Sequence, residues 1–310
     1  MKGLVLAAGK GSRLYPVTHI IAKPLLPLAN KPTLAYAFER LKEIDVYEIG
    51  LVVGDNEQSM REVLKDGSDF GVSLTYIRQP EPKGLAHAVS FAKDFIGDSN
   101  FVLYLGDAIY GSGFVELKNQ FLDSGCSNLN LVKEVQDPSR FGVANVSGDK
   151  IVKLVEKPKV PESNLAMAGL YFFRSEIWNV LPKLQPSSRG EFEITDAIQL
   201  LIDEGNLVLA GRYEDEWFDT GTLDSFLETS SFLVNGSQVI GSDVVVEGHV
   251  GDHVVIGDGA FVRCNSISDS VILPGARVVS NGDIIHSIIG GSVESDRTIE
   301  AAILHGDWSA

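Results

Sequence analysis

The sequence predicts an α/β fold with a mostly parallel sheet, followed by a short parallel β-helix. Three observations carry that expectation. Apolar runs of strand length alternate with helix-period segments over the first hundred or so residues. The first of those runs breaks directly into Gly9-Lys10-Gly11-Ser12. After Asn235-Gly236, aliphatic residues recur at a six-residue spacing.

Residues 4–8 are continuously apolar, as a strand buried on both faces of a parallel sheet requires. Leu34, Ala37, Phe38 and Leu41 then recur at helical spacing. Residues 49–53 read as a second strand, 57–65 as a helix and 72–77 as a third strand. Beyond Gln79 and Gly84, a helix carries Leu85, Ala88, Val89, Ala92 and Ile96 on one face. Residues 101–105 are a fourth strand, ending in Gly106-Asp107. Parallel sheets take ligands at the carboxyl ends of their strands. Gly9, Gln79 and Asp107 lie at such ends, so one crevice is expected to collect them.

Shorter strand-like runs broken by Pro and Gly follow at 128–135, 142–146, 151–156 and 167–173. They predict a more mixed sheet region forming the other wall of the cleft. Residues 193–202 read as a helix and 207–212 as a strand, and 217–222 turns into a last helix reaching about Val234. Val244, Val250, Ile256 and Val262 are spaced by six, and after a slip of phase Ile272, Val278 and Ile284 resume the step. A hexapeptide period marks a parallel β-helix, in which each short strand stacks on the next coil. A small antiparallel sheet is the alternative. The expected domains are 1–235 and 236–310.

The glycine loop is not one of the two familiar nucleotide loops. A P-loop needs Gly five residues before its Gly-Lys pair, where this chain has Leu4, and Ser or Thr after it, where it has Gly11. A dinucleotide fingerprint starting at Gly9 needs Gly at position 14, which is Leu14. What remains is a turn whose amides cradle an anion, with Arg13 and Lys23 adding charge. Asp107, at a strand end, is either a helix N-cap or a metal ligand.

Composition narrows the partners. The formal net charge is −16, which argues against a nucleic acid polymer or an anionic membrane surface. Two cysteines, Cys126 and Cys264, far apart in sequence, suit free thiols in a reducing compartment. No signal peptide and no apolar run of membrane-spanning length is read, so a cytoplasmic location is expected.

Ala7-Ala8-Gly9-x-Gly11-x-Arg13-Leu14-x-Pro16, then Lys23-Pro24 and Pro27-x-x-x-Lys31-Pro32, resembles the signature of the sugar-phosphate nucleotidylyltransferases. Gly84-Leu85-Ala86-His87-Ala88, Phe141-Gly142-Val143-Ala144 and 190–196 extend the likeness, which is strongest to the long-form thymidylyltransferase members. The resemblance covers roughly 1–235 well and the tail more loosely. It implies a Rossmann-like catalytic domain, a C-terminal left-handed β-helix, Mg²⁺, and dTTP and glucose 1-phosphate as substrates; the flat aliphatic faces and open end of such a β-helix lead us to expect a homo-oligomer.

Site roles come from the same likeness. Arg13 and Lys23 would bear on the triphosphate, with Ala8, Gly9 and Gly11 beside it. Lys157 would hold the sugar phosphate and Glu156 the sugar hydroxyls. Gly142 and Gly169 would line the sugar pocket, and Gln79 and Gly84 would read the base. Asp107 and Asp219 would hold the metal, with Asp107 also at the substrate. Family members often read Gly-Asp-Asn where this chain has Ala108.

Three other readings compete. A uridylyltransferase or an N-acetylglucosamine-1-phosphate enzyme would use the same machinery. A non-catalytic sugar-nucleotide sensor would have lost Arg13, Asp107, Lys157 or Asp219, and all four are present. A second, acyl-transfer activity would draw on His249, His253, His286 or His305, but a tail of about four coils is short for a separate active site.

Overall fold

A computed structural model describes Met1–Gly306 and the strand Trp308–Ser309; positions 307 and 310 of the expected tail lie outside the described residues. The chain forms two compact units, one of residues 1–9 and 37–217, the other of 10–36 and 218–310.

The first unit is built on a nine-stranded sheet. Its strands, in chain order, are β1 (Lys2–Leu6), β2 (Glu48–Val53), β3 (Ser73–Arg78), β4 (Phe101–Leu105), β5 (Asn128–Glu134), β6 (Gly142–Ser147), β7 (Lys150–Glu156), β8 (Leu165–Phe173) and β9 (Val208–Arg212). Their spatial order is β3-β2-β1-β4-β8-β5-β9-β7-β6. β1 to β4 pair in parallel, and β8 runs antiparallel to both its neighbours. The later strands, expected as a more mixed sheet region, continue the same sheet through β8, whose nine residues are all buried. The sheet is therefore mixed, with a parallel half that matches the expectation for an α/β domain.

Alternation along the strands sorts the two faces. Leu4, Val52, Leu103, Tyr171 and Phe173 share a cluster with Val89, Ile96, Ile194, Ile198 and Leu201, so the segments 85–96 and 194–203 cover that side. Phe172, between Tyr171 and Phe173, faces the other side and stacks on Phe121 at 5.5 Å. Phe121 belongs to the helix Val115–Ser124, which the sequence pattern did not single out. The predicted helix after Gly84 is two pieces, Leu85–Ser90 and Lys93–Ile96. The break is a tightening to three-residue bonds, Phe91 N to Ala88 O and Ala92 N to Val89 O.

The second unit holds parallel ladders. Val239 pairs with Val255, Val255 with Val271, Val271 with Ile288 and Ile288 with Ile303, steps of 16, 16, 17 and 15 residues. Three full hexapeptides would need more residues than any of these steps holds. That is why the six-residue phase slips. Ile256, Val262, Ile272, Val278 and Ile284 are fully buried between the ladders, as the spacing predicts, and both cysteines of the chain are free thiols.

The boundary expected at 235/236 is not where compactness divides the chain. Asn30 Nδ2 donates to the Ile256 carbonyl at 2.9 Å, the helix Val17–Ile20 packs on Ile288–Gly290 and Ile303–His305, and the helix Leu223–Val234 packs on Pro27–Leu28. These contacts tie 10–36 and 218–235 to the ladders.

Thr222 caps the helix Leu223–Val234: its hydroxyl accepts from the Ser225 amide at 3.2 Å while Ser225 Oγ accepts from the Thr222 amide at 3.0 Å. Thr222→Ala is expected to lower stability by about 1 kcal/mol and Thr222→Ser to restore it. Chemical denaturation of the three proteins checks this; equal midpoints would deny the cap its role.

Candidate functional site

In the first unit the site begins where two parallel strands end together. Leu6 of β1 stands opposite Leu105 of β4. The Gly106 amide donates to the Leu6 carbonyl at 3.0 Å, so 7–9 and 106–107 leave the sheet side by side. The other neighbour holds the loop from behind. The Ala7 amide donates to the Val52 carbonyl, and Asn56 Nδ2 donates to the Ala7 carbonyl, both at 2.8 Å. Asn56 Oδ1 accepts from the Gly54 amide at 3.0 Å. Asn56 carries no motif signal and sequence reasoning missed it. Gly9 is exposed and a Cβ there would meet nothing within 4 Å, so its backbone faces open space, with Ala8 partly exposed beside it.

Asp107 is partly exposed and is followed by the short strand Ala108–Tyr110. The N-cap alternative therefore falls away. Gly169 sits at the bulge of β8, and a Cβ there would lie 3.2 Å from the Leu105 side chain, two residues before Asp107.

Gln79 follows β3 and is buried. Its Nε2 lies 3.3 Å from the Gly84 carbonyl and 3.0 Å from Nδ1 of His87. Burial, with the charge of Lys83, lowers the pKa of His87, and a neutral ring accepts the Gln79 bond at Nδ1. Gly84 has φ of 109°, and a Cβ would fall 2.5 Å from the Phe192 carbonyl oxygen, so only glycine fits. The Phe192 amide donates to Lys83 and the Ala86 amide to Phe192.

Phe192 lies in the segment that also reaches Glu156. Glu156 ends β7 opposite Gly142 of β6. Thr195 Oγ1 donates to its Oε2 at 3.1 Å, while Arg189 Nη2 and Lys157 Nζ lie 3.4 and 3.6 Å from Oε1. Glu193, 3% exposed, accepts from Ser187 Oγ at 2.8 Å and from Arg189 Nη2 at 2.9 Å. Burial raises the pKa of Glu156; Lys157 opposes that shift and the charge of Glu193 adds to it. Arg189, Glu193 and Thr195 were not among the predicted site residues. For Glu193 and Thr195 the signal was the run 190–196, which enters the helix Ile194–Asp203; Arg189 lies just before that run.

The second unit brings four predicted residues together. Gly11 has φ of 65°, and a Cβ there would lie 2.8 Å from Cβ of Lys23. Thr18 Oγ1 donates to the Gly11 carbonyl at 2.8 Å. Lys23 is only 8% exposed, so it is not the solvated surface cation that its sequence alone would allow. Arg13 is exposed and its guanidinium lies over Gly221, where a Cβ would be 2.8 Å from Nη2. The Gly221 amide donates to the Asp219 carbonyl at 2.8 Å, which sets the turn of Asp219 beside Arg13. Asp219 is not the N-cap of the following helix; Thr222 is.

Among the described residues no group of three or more His, Cys, Asp or Glu could hold a metal ion. Mg²⁺ needs no such cage, since one or two carboxylates plus phosphate oxygens and water suffice. Asp107 and Asp219, each a partly exposed carboxylate at a strand end, suit that mode.

The chain matches the Nucleotidyl transferase family model over residues 2–236. It is 41% identical to the low-salt glycan biosynthesis nucleotidyltransferase Agl11 of Haloferax volcanii, over 94% of this chain and 92% of that protein. It is 40% identical to a glucose-1-phosphate thymidylyltransferase of Streptomyces antibioticus, over 92% of this chain and 81% of that one. A crystal structure described as that of a glucose-1-phosphate thymidylyltransferase from Bacillus anthracis, with a sucrose, superposes with a TM-score of 0.70 at 36% identity, over 75% of this chain and 94% of its own.

Gly142 is small because its neighbours leave no room. A Cβ there would stand 2.5 Å from Cγ2 of Thr195 and 3.3 Å from Oε2 of Glu156. Gly142→Ala is expected to destabilise by about 1–3 kcal/mol, and Thr195→Ser, which removes the clashing methyl, to recover most of that in the double variant. Denaturant melts of the four proteins give the coupling; purely additive effects would contradict the contact.

Proposed function

This chain belongs to the nucleotidyl transferase family, and we propose that it transfers a thymidylyl group from dTTP to glucose 1-phosphate, yielding dTDP-glucose and pyrophosphate. The observation that supports the reading best is the shared exit of the 7–9 loop and Asp107 from β1 and β4. It sets the 7–9 turn beside the Asp107 carboxylate, and we read the turn as the seat of the triphosphate and Asp107 as a ligand of its metal.

A phosphate oxygen of glucose 1-phosphate attacks the α-phosphorus of dTTP. The bond from that phosphorus to the oxygen bridging to the β-phosphorus breaks, and pyrophosphate leaves with the bridging oxygen. Both reactants are anionic, so catalysis is mostly positioning and neutralisation of charge. Arg13 and Lys23 bear on the triphosphate and take up charge growing on the pyrophosphate. The amides of Ala8, Gly9 and Gly11 lie along the phosphates. Lys157 holds the phosphate of the sugar, Glu156 accepts from its hydroxyls, and Gly142 and Gly169 leave room for its ring. Gln79 and Gly84 meet the edge of the base. Asp107 and Asp219 hold a divalent cation, Mg²⁺ in our reading, which neutralises phosphate charge when bound.

The reading extends to the rest of the chain. In this reading residues 1–235 carry the reaction and 236–310 are a left-handed parallel β-helix; the parallel ladders and their short steps support a β-helix, and its hand follows the family resemblance. The protein is a homo-oligomer in this view, because Ile240 and Val245 of the first coil are 47% and 50% exposed. No described helix is long and apolar enough to cross a membrane. We read the enzyme as cytoplasmic, in keeping with its free thiols.

Asp107→Asn and Asp219→Asn should each lower kcat by about a hundredfold or more, the scale of losing one electrostatic clamp. Turnover is measured as pyrophosphate release at saturating Mg²⁺; near-normal rates in both variants would remove the metal assignment.

The nucleotide order should be dTTP, then UTP, with ATP and GTP far behind. The thymine methyl adds roughly ten- to two-hundredfold through apolar contact, whereas purines exceed a pocket shaped for one ring. Initial rates at limiting nucleotide and saturating glucose 1-phosphate decide it, and a purine outrunning dTTP refutes the thymidylyl reading.

A further inference from the structure

His286 occupies a corner between two short strands, Ile284–Ile285 and Ile288–Gly290. His253, Asp269, His286 and Ala301 mark successive corners, all left-handed, with φ of 57°, 43°, 48° and 49°. Asp and His tolerate that conformation better than most residues, so the backbone alone accounts for a histidine there. It does not account for the side chain. Nδ1 of His286 lies 2.5 Å from Oδ2 of Asp269, and Nε2 lies 2.9 Å from Oδ1 of Asp224. Asp224 stands in the first turn of the helix Leu223–Val234. One imidazole therefore joins the ladders to that helix through two carboxylates, an arrangement that satisfies both nitrogens only when both carry protons.

The helix start continues into the turn that the proposed function uses. Thr222 caps it, the Gly221 amide binds the Asp219 carbonyl, and Arg13 lies on Gly221. We propose that cationic His286 is a positioning residue, tying the first turn of this helix to the coil corners and so holding the 219–222 turn where Asp219 and Arg13 act. This rests on the reading of Asp219 as a metal ligand.

The charges facing His286 are Asp269 from the preceding corner and Asp224 from the helix. The next corner, Ala301, brings none, and Glu300 stands opposite Ile285 in the ladder. The bond to Asp269 chiefly raises the pKa of His286 above its ordinary 6.5; burial opposes it, and the bond to Asp224 adds a lesser rise. With a raised value the tie is complete below the ordinary histidine pKa and is lost as pH rises through the folded one.

The test follows kcat and the apparent activation constant for Mg²⁺ of the full-length enzyme from about pH 6 to about pH 9. The proteins are wild type, His286→Asn, Asp224→Asn, His286→Lys and, for reference, Asp219→Asn. Asn suits the corner and carries no charge; Lys keeps a cation across the range. Wild type should lose about two- to fivefold in Mg²⁺ activation as pH rises, the scale of a partly exposed ion pair. His286→Asn and Asp224→Asn should start at the weaker value and stay flat, and His286→Lys should hold the stronger value throughout. A wild-type limb persisting in His286→Asn and Asp224→Asn overturns the inference, even if their melting temperatures fall, because a purely structural tie would move only the melting. Unaltered Mg²⁺ activation in Asp219→Asn sinks the metal reading and this inference with it. An impaired Asp219→Asn beside unaltered His286→Asn and Asp224→Asn sinks the inference alone.

Discussion

The ladder between β1 and β4 pairs Leu6 with Leu105, and the Gly106 amide closes on the Leu6 carbonyl at 3.0 Å. Those strands are buried on both faces, so neither can shift its register without exposing apolar side chains. The level at which they end is therefore fixed by the core. Everything that leaves the sheet there inherits that level: the glycine turn on one side, Asp107 on the other. Asn56 adds a second constraint, because its amide spans the Ala7 carbonyl and the Gly54 amide and keeps the loop from peeling off β2.

A chain with a formal net charge of −16 handles anionic substrates by concentrating its cations locally. Lys23 is buried against the Gly11 turn, Arg13 lies on Gly221, and Lys157 and Arg189 share Oε1 of Glu156. In the last cluster the carboxylates do as much as the cations. Glu193 is nearly buried and takes most of its hydrogen bonds from Arg189 and Ser187, which fixes the guanidinium in place before any ligand arrives. Surplus negative charge elsewhere on the molecule keeps it from clinging to polyanions.

The parallel half of the sheet and the loops at its ends were legible because strand burial and glycine turns are local signals. Leu4 and Leu103 lie in unbroken apolar runs, and Gly9 and Asp107 stand just past their ends, while Gln79 follows the 72–77 strand. What could not be read were facts of packing across sequence distance. The strands after residue 128 alternate too irregularly to reveal that β8 would join them to β4 in one sheet. Arg189, Glu193 and Thr195 became site neighbours only because the 187–195 segment crosses Gly84 and then Glu156. That compactness groups 10–36 with the ladders could not be read for the same reason: a side chain such as Asn30, reaching Ile256, leaves no trace in local pattern.

Ladder strands stacked on the strands before and after them contribute stability piece by piece, with the contacts from 17–30 and Asp224 added to it. A tail built this way is free to change length over evolutionary time, since duplicating or deleting one block of about sixteen residues leaves the other rungs as they were. The corner pair Asp269 and His286 sets a limit on that freedom. A block lost between them would part the imidazole from its carboxylate, whereas one lost beyond Ile289 would not. Descendants of this sequence should therefore vary in length toward the end of the chain and stay constant through the middle of the ladders.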